Sequence, residues 1–130
     1  MDLTKLLLVA GGGAMGALCR YLVGLAALSK LGEGFPWSTF IVNVVGSFLM
    51  GVLVGLGMNS SQRAFLAFGV GFLGSFTTFS AFSVETLKHA EQGQWGVFGA
   101  NVIANVTICL IAATIGIALA RMLRPEVTSD

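Results

Sequence analysis

The sequence predicts an all-α membrane protein: four transmembrane helices in a single domain over residues 1–130. The first observation behind this is composition. Hydrophobic residues make up 55% of the chain and charged residues 10%, with a mean hydropathy of +0.88, whereas a typical soluble domain carries about 25% charged residues. The second is where the charges fall. None occurs in the 29 residues between Glu33 and Arg63, the 21 between Arg63 and Glu85, or the 29 between Glu91 and Arg121. Each gap holds the roughly 20 apolar residues that cross a bilayer core of about 30 Å. A further stretch, residues 6–28, has the same length but contains Arg20. Spans at about 4–29, 38–58, 62–89 and 95–123 use nearly the whole chain and leave no room for a soluble domain.

The first span opens like a signal peptide, with Lys5 before an apolar run. The run passes Arg20, however, and no small-x-small site is followed by a soluble mature chain. Cys19 follows the bulky Leu18, which suits a lipoprotein cysteine poorly, so the segment reads as a retained helix. Gly12, Gly16, Arg20 and Gly24 lie four apart, on one face that lets another backbone approach closely.

Gly32, Gly34 and Pro36 break the chain before Trp37, which marks an interface with the headgroups. The second helix carries Gly51-x-x-x-Gly55. Asn59-Ser60-Ser61 has the chemistry of an N-cap for the third helix, which is expected to start near Gln62 and run to about His89. Residues 92–94 turn the chain into the fourth helix, and the tail from Arg124 is expected to fray. No internal repeat is visible, so two-fold symmetry requires a second copy of the chain.

Four spans put Lys5, Arg63, Arg121 and Arg124 on one side and Lys30 and Lys88 on the other, with Arg20 nearer the second group. The positive-inside rule then gives little bias, and insertion in both orientations is expected. With two cysteines and one histidine, no zinc or haem spacing can be assembled. Both thiols fall within spans and are expected to be buried.

Gly11-x-Gly13-x-x-Gly16, with Glu33 further on, superficially matches a dinucleotide fingerprint. The alternating strands and amphipathic helices that such a site requires are missing. In the third span Phe65, Phe68, Phe72, Phe76, Phe79 and Phe82 recur at helical steps and predict one aromatic stripe. From Phe65 to Phe72 this reads as lipid or helix packing. Thr77, Thr78, Ser80 and Ser83 are interleaved with Phe76, Phe79 and Phe82, and there the chemistry changes. Aromatic edges carry partial positive charge, and hydroxyls and amides donate hydrogen bonds, so together they solvate a small anion without a full positive charge. A cation site would need carboxylates or converging carbonyls, and Glu85 is the one acidic residue within a predicted span. Asn101 and Asn105, one turn apart, read as interhelical glue. Asn43 reads equally as glue or as a pair of donors deep in the second span. Arg20 must find carbonyls, a carboxylate or an aqueous vestibule; tying helices together is favoured over attracting anions.

Three stretches carry a resemblance: Gly12-Gly13-x-x-Gly16-x-x-x-Arg20-Tyr21; Thr39-x-x-x-Asn43-x-x-Gly46-Ser47-Phe48; and Gly71-Phe72-x-Gly74-x-x-Thr77-Thr78-Phe79-Ser80-x-Phe82-Ser83-x-Glu85. In this order they resemble the bacterial fluoride channel family, also called the camphor-resistance family, over nearly the whole chain. The resemblance implies an antiparallel, dual-topology homodimer in the bacterial inner membrane that conducts fluoride passively out of the cytoplasm. By motif position Phe79 and Phe82 would line the fluoride path beside the donor Asn43. Ser80 and Glu85 would belong to a polar track, and Arg20 to the vestibule. The family also breaks its third helix near the centre and holds a structural sodium ion there on backbone carbonyls, which fall on Gly74 and Thr77. Departures from its pattern are Ser75, where a second glycine is usual, and Ala81, where a hydroxyl often stands between the phenylalanines. A Ser or Thr midway along the fourth helix falls near Cys109 or Ala113, with Thr107 and Thr114 close by.

Two other readings fit the size of the chain. A dual-topology multidrug antiporter needs a mid-span carboxylate, which the first helix lacks. A non-transporting assembly subunit held by the glycine faces would carry no ion flux alone.

Overall fold

The computed structural model describes residues 2–124, and among them there is no strand. Of the tail expected to fray from Arg124, residues 125–130 lie outside the described residues. Helix α1 (Leu3–Leu31) starts where the Asp2 carboxylate accepts from the Thr4 N–H at 3.0 Å, a side-chain cap for one of the donors that a helix start leaves free. It ends at Gly32, whose φ of 72° lets its N–H return to the Leu28 carbonyl. At 29 residues α1 is about 44 Å long and overruns the bilayer core.

Helix α2 (Trp37–Gly55) begins directly after Pro36. It stops three residues short of the expected end because Gly57 takes a φ of 77° and turns the chain. The expected cap at Asn59-Ser60-Ser61 is not formed. Asn59 Oδ1 instead accepts from the Ser61 N–H at 3.0 Å and closes a local turn, and the helix starts at Arg63 with Gln62 before it.

The third span, Arg63–Glu91, changes character along its length. A short α3 (Arg63–Phe65) runs into a π-helical segment (Leu66–Leu73) and one further turn, α4 (Gly74–Phe76). Thr77 and Thr78 are both extended, and α5 (Phe79–Glu91) follows. A turn through Gly93 leads to α6 (Trp95–Met122). All four spans are long and apolar enough to cross a membrane.

The fold is assembled through small residues, as expected where lipid removes the hydrophobic drive between helices. A methyl group added at Gly12 would overlap the Ala67 carbonyl, and one at Gly16 the Phe72 carbonyl, so α1 lies backbone to backbone on the π-helical segment. On the other side, α2 meets α6 in the same way. Methyl groups at Gly51 and Gly116 would overlap the carbonyls of Ala113 and Phe48. The buried apolar set is correspondingly small, with Val42, Leu73, Phe76 and Phe82 its bulkier members.

The aromatic residues do not form one stripe. Phe68 is exposed while Phe76 is buried, and Phe72 and Phe76 stack at 5.7 Å apart from the pair Phe79 and Phe82 at 5.3 Å. The stripe assumed a uniform α-helical period. The wider π turns and the two extended threonines each shift that register. Cys19 and Cys109 are free thiols, half-buried in the chain rather than buried.

Candidate functional site

The extended pair Thr77–Thr78 creates a local problem that the rest of the site solves. Backbone groups taken out of a helix at membrane depth need other partners. Asn43 on α2 supplies them: its Oδ1 accepts from the Thr78 N–H at 2.8 Å, and its Nδ2 donates to the Thr78 carbonyl at 3.1 Å. One side-chain amide thus satisfies both backbone groups of one residue. The Thr77 N–H still reaches the Leu73 carbonyl at 3.0 Å. From α1, Arg20 Nη1 donates to the Thr77 carbonyl at 3.4 Å, so Arg20 does tie helices together. Thr78 Oγ1 accepts from the Ala81 N–H at 3.2 Å and caps α5.

Asn43 is held in turn from α6. Its Nδ2 also donates to Asn105 Oδ1 at 3.2 Å, and Asn105 Nδ2 donates to Asn101 Oδ1 at 2.7 Å. Asn101 Nδ2 donates to Thr86 Oγ1 at 2.7 Å, and Thr86 Oγ1 donates to the Phe82 carbonyl. Asn101 and Asn105 therefore act as glue, as their spacing predicted. Thr78 and Thr86 had not been singled out for these roles. Thr78 stood in a hydroxyl cluster that gave no hint of backbone pairing, and Thr86 had no signal of its own.

The residues assigned to the path by resemblance fall into two grooves that share Thr78. One, of about 590 Å³, is lined by Arg20, Ser80 and Glu85, together with Ser38, Thr39 and Tyr21. The other, of about 550 Å³, is lined by Asn43, Gly74, Thr77, Phe79 and Phe82, with Ser47, Asn105 and Cys109. Thr78 alone lines both. The second groove has no charged residue in its wall. In the first, Glu85 Oε2 is buried without a hydrogen-bond partner. Phe82 is 8% exposed while its neighbour Phe79 is 77% exposed, turned outward from the single chain.

Residues 7–117 match the family described as CrcB-like protein, Camphor Resistance (CrcB). The chain belongs to the CrcB family. A relative from Shewanella sp. (strain ANA-3), named fluoride-specific ion channel FluC, is 45% identical over 116 residues, which is 88% of this chain and 94% of the relative. A relative of the same name from Shewanella oneidensis shares the same identity and coverage, and one from Shewanella baltica (strain OS185) is 44% identical over the same share. Membership of CrcB and four apolar spans make this a multi-pass membrane protein of bacteria.

The departures from the CrcB pattern can now be placed. Ser75 puts its hydroxyl where a methyl on Gly13 would meet it at 3.2 Å, so it fills space against α1 and does not line the second groove. On α6 of this CrcB chain, Cys109 and Ala113 line the second groove, whereas Thr107 and Thr114 are exposed and lie outside it.

Proposed function

We propose that the protein is a fluoride-selective passive channel, not an enzyme, that lets fluoride leave the bacterial cytoplasm across the inner membrane. One observation carries the reading: the second groove brings the Phe79–Phe82 pair together with the Asn43 amide in a wall without formal charge. Aromatic edges and amide donors suit a small anion that accepts hydrogen bonds strongly. The names of the Shewanella relatives support the same ion. Hydrogen fluoride enters a cell neutral and dissociates inside, so a passive exit for the anion relieves its toxicity. Ser80 and Glu85 continue the path as a polar track, and Arg20 stands at its vestibule.

The working unit is an antiparallel homodimer of chains inserted in opposite orientations. The nearly balanced charges of the two faces favour this, and the exposure of Phe79 and of Gly74 is what a surface awaiting a second copy presents. A buried carboxylate oxygen without a donor, as at Glu85, suits a group that a second copy would supply.

The interruption in the third span also fits a structural sodium ion between the two copies. Thr78 N–H, the helical donor that Gly74 would ordinarily receive, goes to Asn43 instead, which leaves the Gly74 carbonyl free for a cation. The Thr77 carbonyl, also extended from the helix, would share itself between the cation and Arg20. A bound sodium ion would supply positive charge to these carbonyls and join the two interruptions; it is not transported.

In a bacterium stripped of its own fluoride exporter, the chain is expected to restore growth at fluoride levels that stop the parent strain. In the same cells a cysteine placed near the N-terminus is expected to be labelled from both faces of the membrane. Absence of rescue by well-expressed protein refutes the channel reading, and labelling from one face only refutes dual topology.

A further inference from the structure

The hydrogen bonds that run from Phe82 to Thr78 form one chain with a fixed direction. At one end Thr86 has a single hydroxyl proton and gives it to the Phe82 carbonyl. Its oxygen must then accept, so Asn101 turns its NH2 toward Thr86 and its oxygen toward Asn105. Asn105 in turn points its NH2 at Asn101 and its oxygen at Asn43, which leaves Asn43 to donate. At the other end the Thr78 N–H can only donate, which independently requires Asn43 to present its oxygen there. The two ends fix the same orientation of Asn43. Thr86, Asn101 and Asn105 are at most 5% exposed, so water does not compete for these bonds within the chain.

We propose that Thr86, Asn101 and Asn105 are positioning residues that hold the Asn43 amide in the orientation that pins the Thr78 backbone beside the path, and so set the rate at which fluoride passes. The proposal rests on the reading that fluoride passes Asn43. An inverted Asn43 amide would set its oxygen against the Thr78 carbonyl and its NH2 against the Thr78 N–H, and would leave both backbone groups of the interruption without partners. Thr86 lines neither groove, so any effect of its hydroxyl on conduction travels through the amides or through the Phe82 carbonyl, and Asn105→Leu, which leaves the Phe82 bond in place, isolates the first route. The same hydroxyl reaches the carbonyl of Phe82, so α6 couples both sides of the aromatic–amide site.

The test uses the purified full chain in liposomes loaded with fluoride, diluted to about one dimer per vesicle. The initial rate then reports on each channel, and the fraction of fluoride released reports how many vesicles hold a working one. Thr86→Val keeps the shape and removes the hydroxyl. It is expected to lower the per-channel rate by about tenfold, the scale set by one lost oriented hydrogen bond, with the released fraction unchanged. Thr86→Ser is expected to restore the rate, and Asn105→Leu to lower it at least as far as Thr86→Val. Should Thr86→Val not fold, Thr86→Ala carries the same comparison. A hydroxyl-free variant that conducts at the wild-type rate, or loses only released fraction, overturns the positioning role while the channel reading stands. A wild-type protein that releases no fluoride overturns both.

Discussion

Asn43→Ala is expected to cut fluoride efflux by about 100-fold, equivalent to about 2.7 kcal/mol at the barrier, and Phe82→Ile is expected to do the same. The two act through different chemistry. Asn43→Ala removes three hydrogen bonds at once, two to the Thr78 backbone and one to Asn105. It leaves a backbone N–H and a carbonyl without partners at the interruption of the third span. Unmade hydrogen bonds of this kind cost about 1–3 kcal/mol each in a buried setting, and less where neighbouring groups in a membrane protein take up the slack. The close glycine contacts of α1 on the π-helical segment and of α2 on α6 do not include Asn43, so the variant is expected to remain a folded dimer. Phe82→Ile preserves apolar bulk in a buried position and removes only the ring edge that pairs with Phe79 at 5.3 Å. Fluoride-electrode traces from vesicles containing each variant, beside size-exclusion profiles, check the pair. Wild-type efflux in both would remove Asn43 and Phe82 from the path.

The largest effect on stability is expected at Gly16. A side chain there would enter the Phe72 carbonyl, and the obstacle is backbone rather than the flexible end of a side chain. Relief requires α1 to move off the π-helical segment, which also opens the contacts of Gly12 with Ala67 and of Arg20 with Thr77. Overpacking in cores costs about 1–3 kcal/mol when side chains can adjust; with backbone on both sides Gly16→Leu should exceed that range and yield no monodisperse protein. Gly11→Leu is the control, since nothing lies within 4 Å of a methyl group added at Gly11. Size-exclusion chromatography after detergent extraction separates the two. A monodisperse Gly16→Leu protein would show that the helices do not pack as closely as described.

The same glycine shows what the sequence made legible and what it did not. Spans could be counted because charge-free gaps are a composition signal, and the bilayer sets their length. The Gly12–Gly16 face could be recognised because residues four apart share a face of any regular helix. The third span defeated the same rule. Its π-helical segment and extended threonines depend on contacts with α1 and α2, residues far away in sequence, so a constant helical period placed Phe68 and Phe76 on one stripe when one is exposed and the other buried. The cap expected at Asn59 failed for a related reason, since its side chain had a closer partner in the turn.

The site was half legible. Asn101 and Asn105 announced a contact by their spacing, and Asn43 stood out as an amide deep in a span. That Asn43 spends its oxygen and NH2 on the backbone of Thr78, 35 residues away, is a property of the fold. Thr86 looked like an ordinary hydroxyl near the end of a helix. Its importance comes from accepting a bond from Asn101 while donating one to Phe82, which no local pattern encodes.

The central claim is that this chain by itself forms a path for fluoride and not for larger anions. Efflux from liposomes that contain only the purified protein, followed with fluoride and chloride electrodes in parallel, tests it most directly. Fast fluoride release with no chloride release is the predicted result. Release of neither ion from a protein shown to be folded and dimeric, or release of both at similar rates, would contradict it.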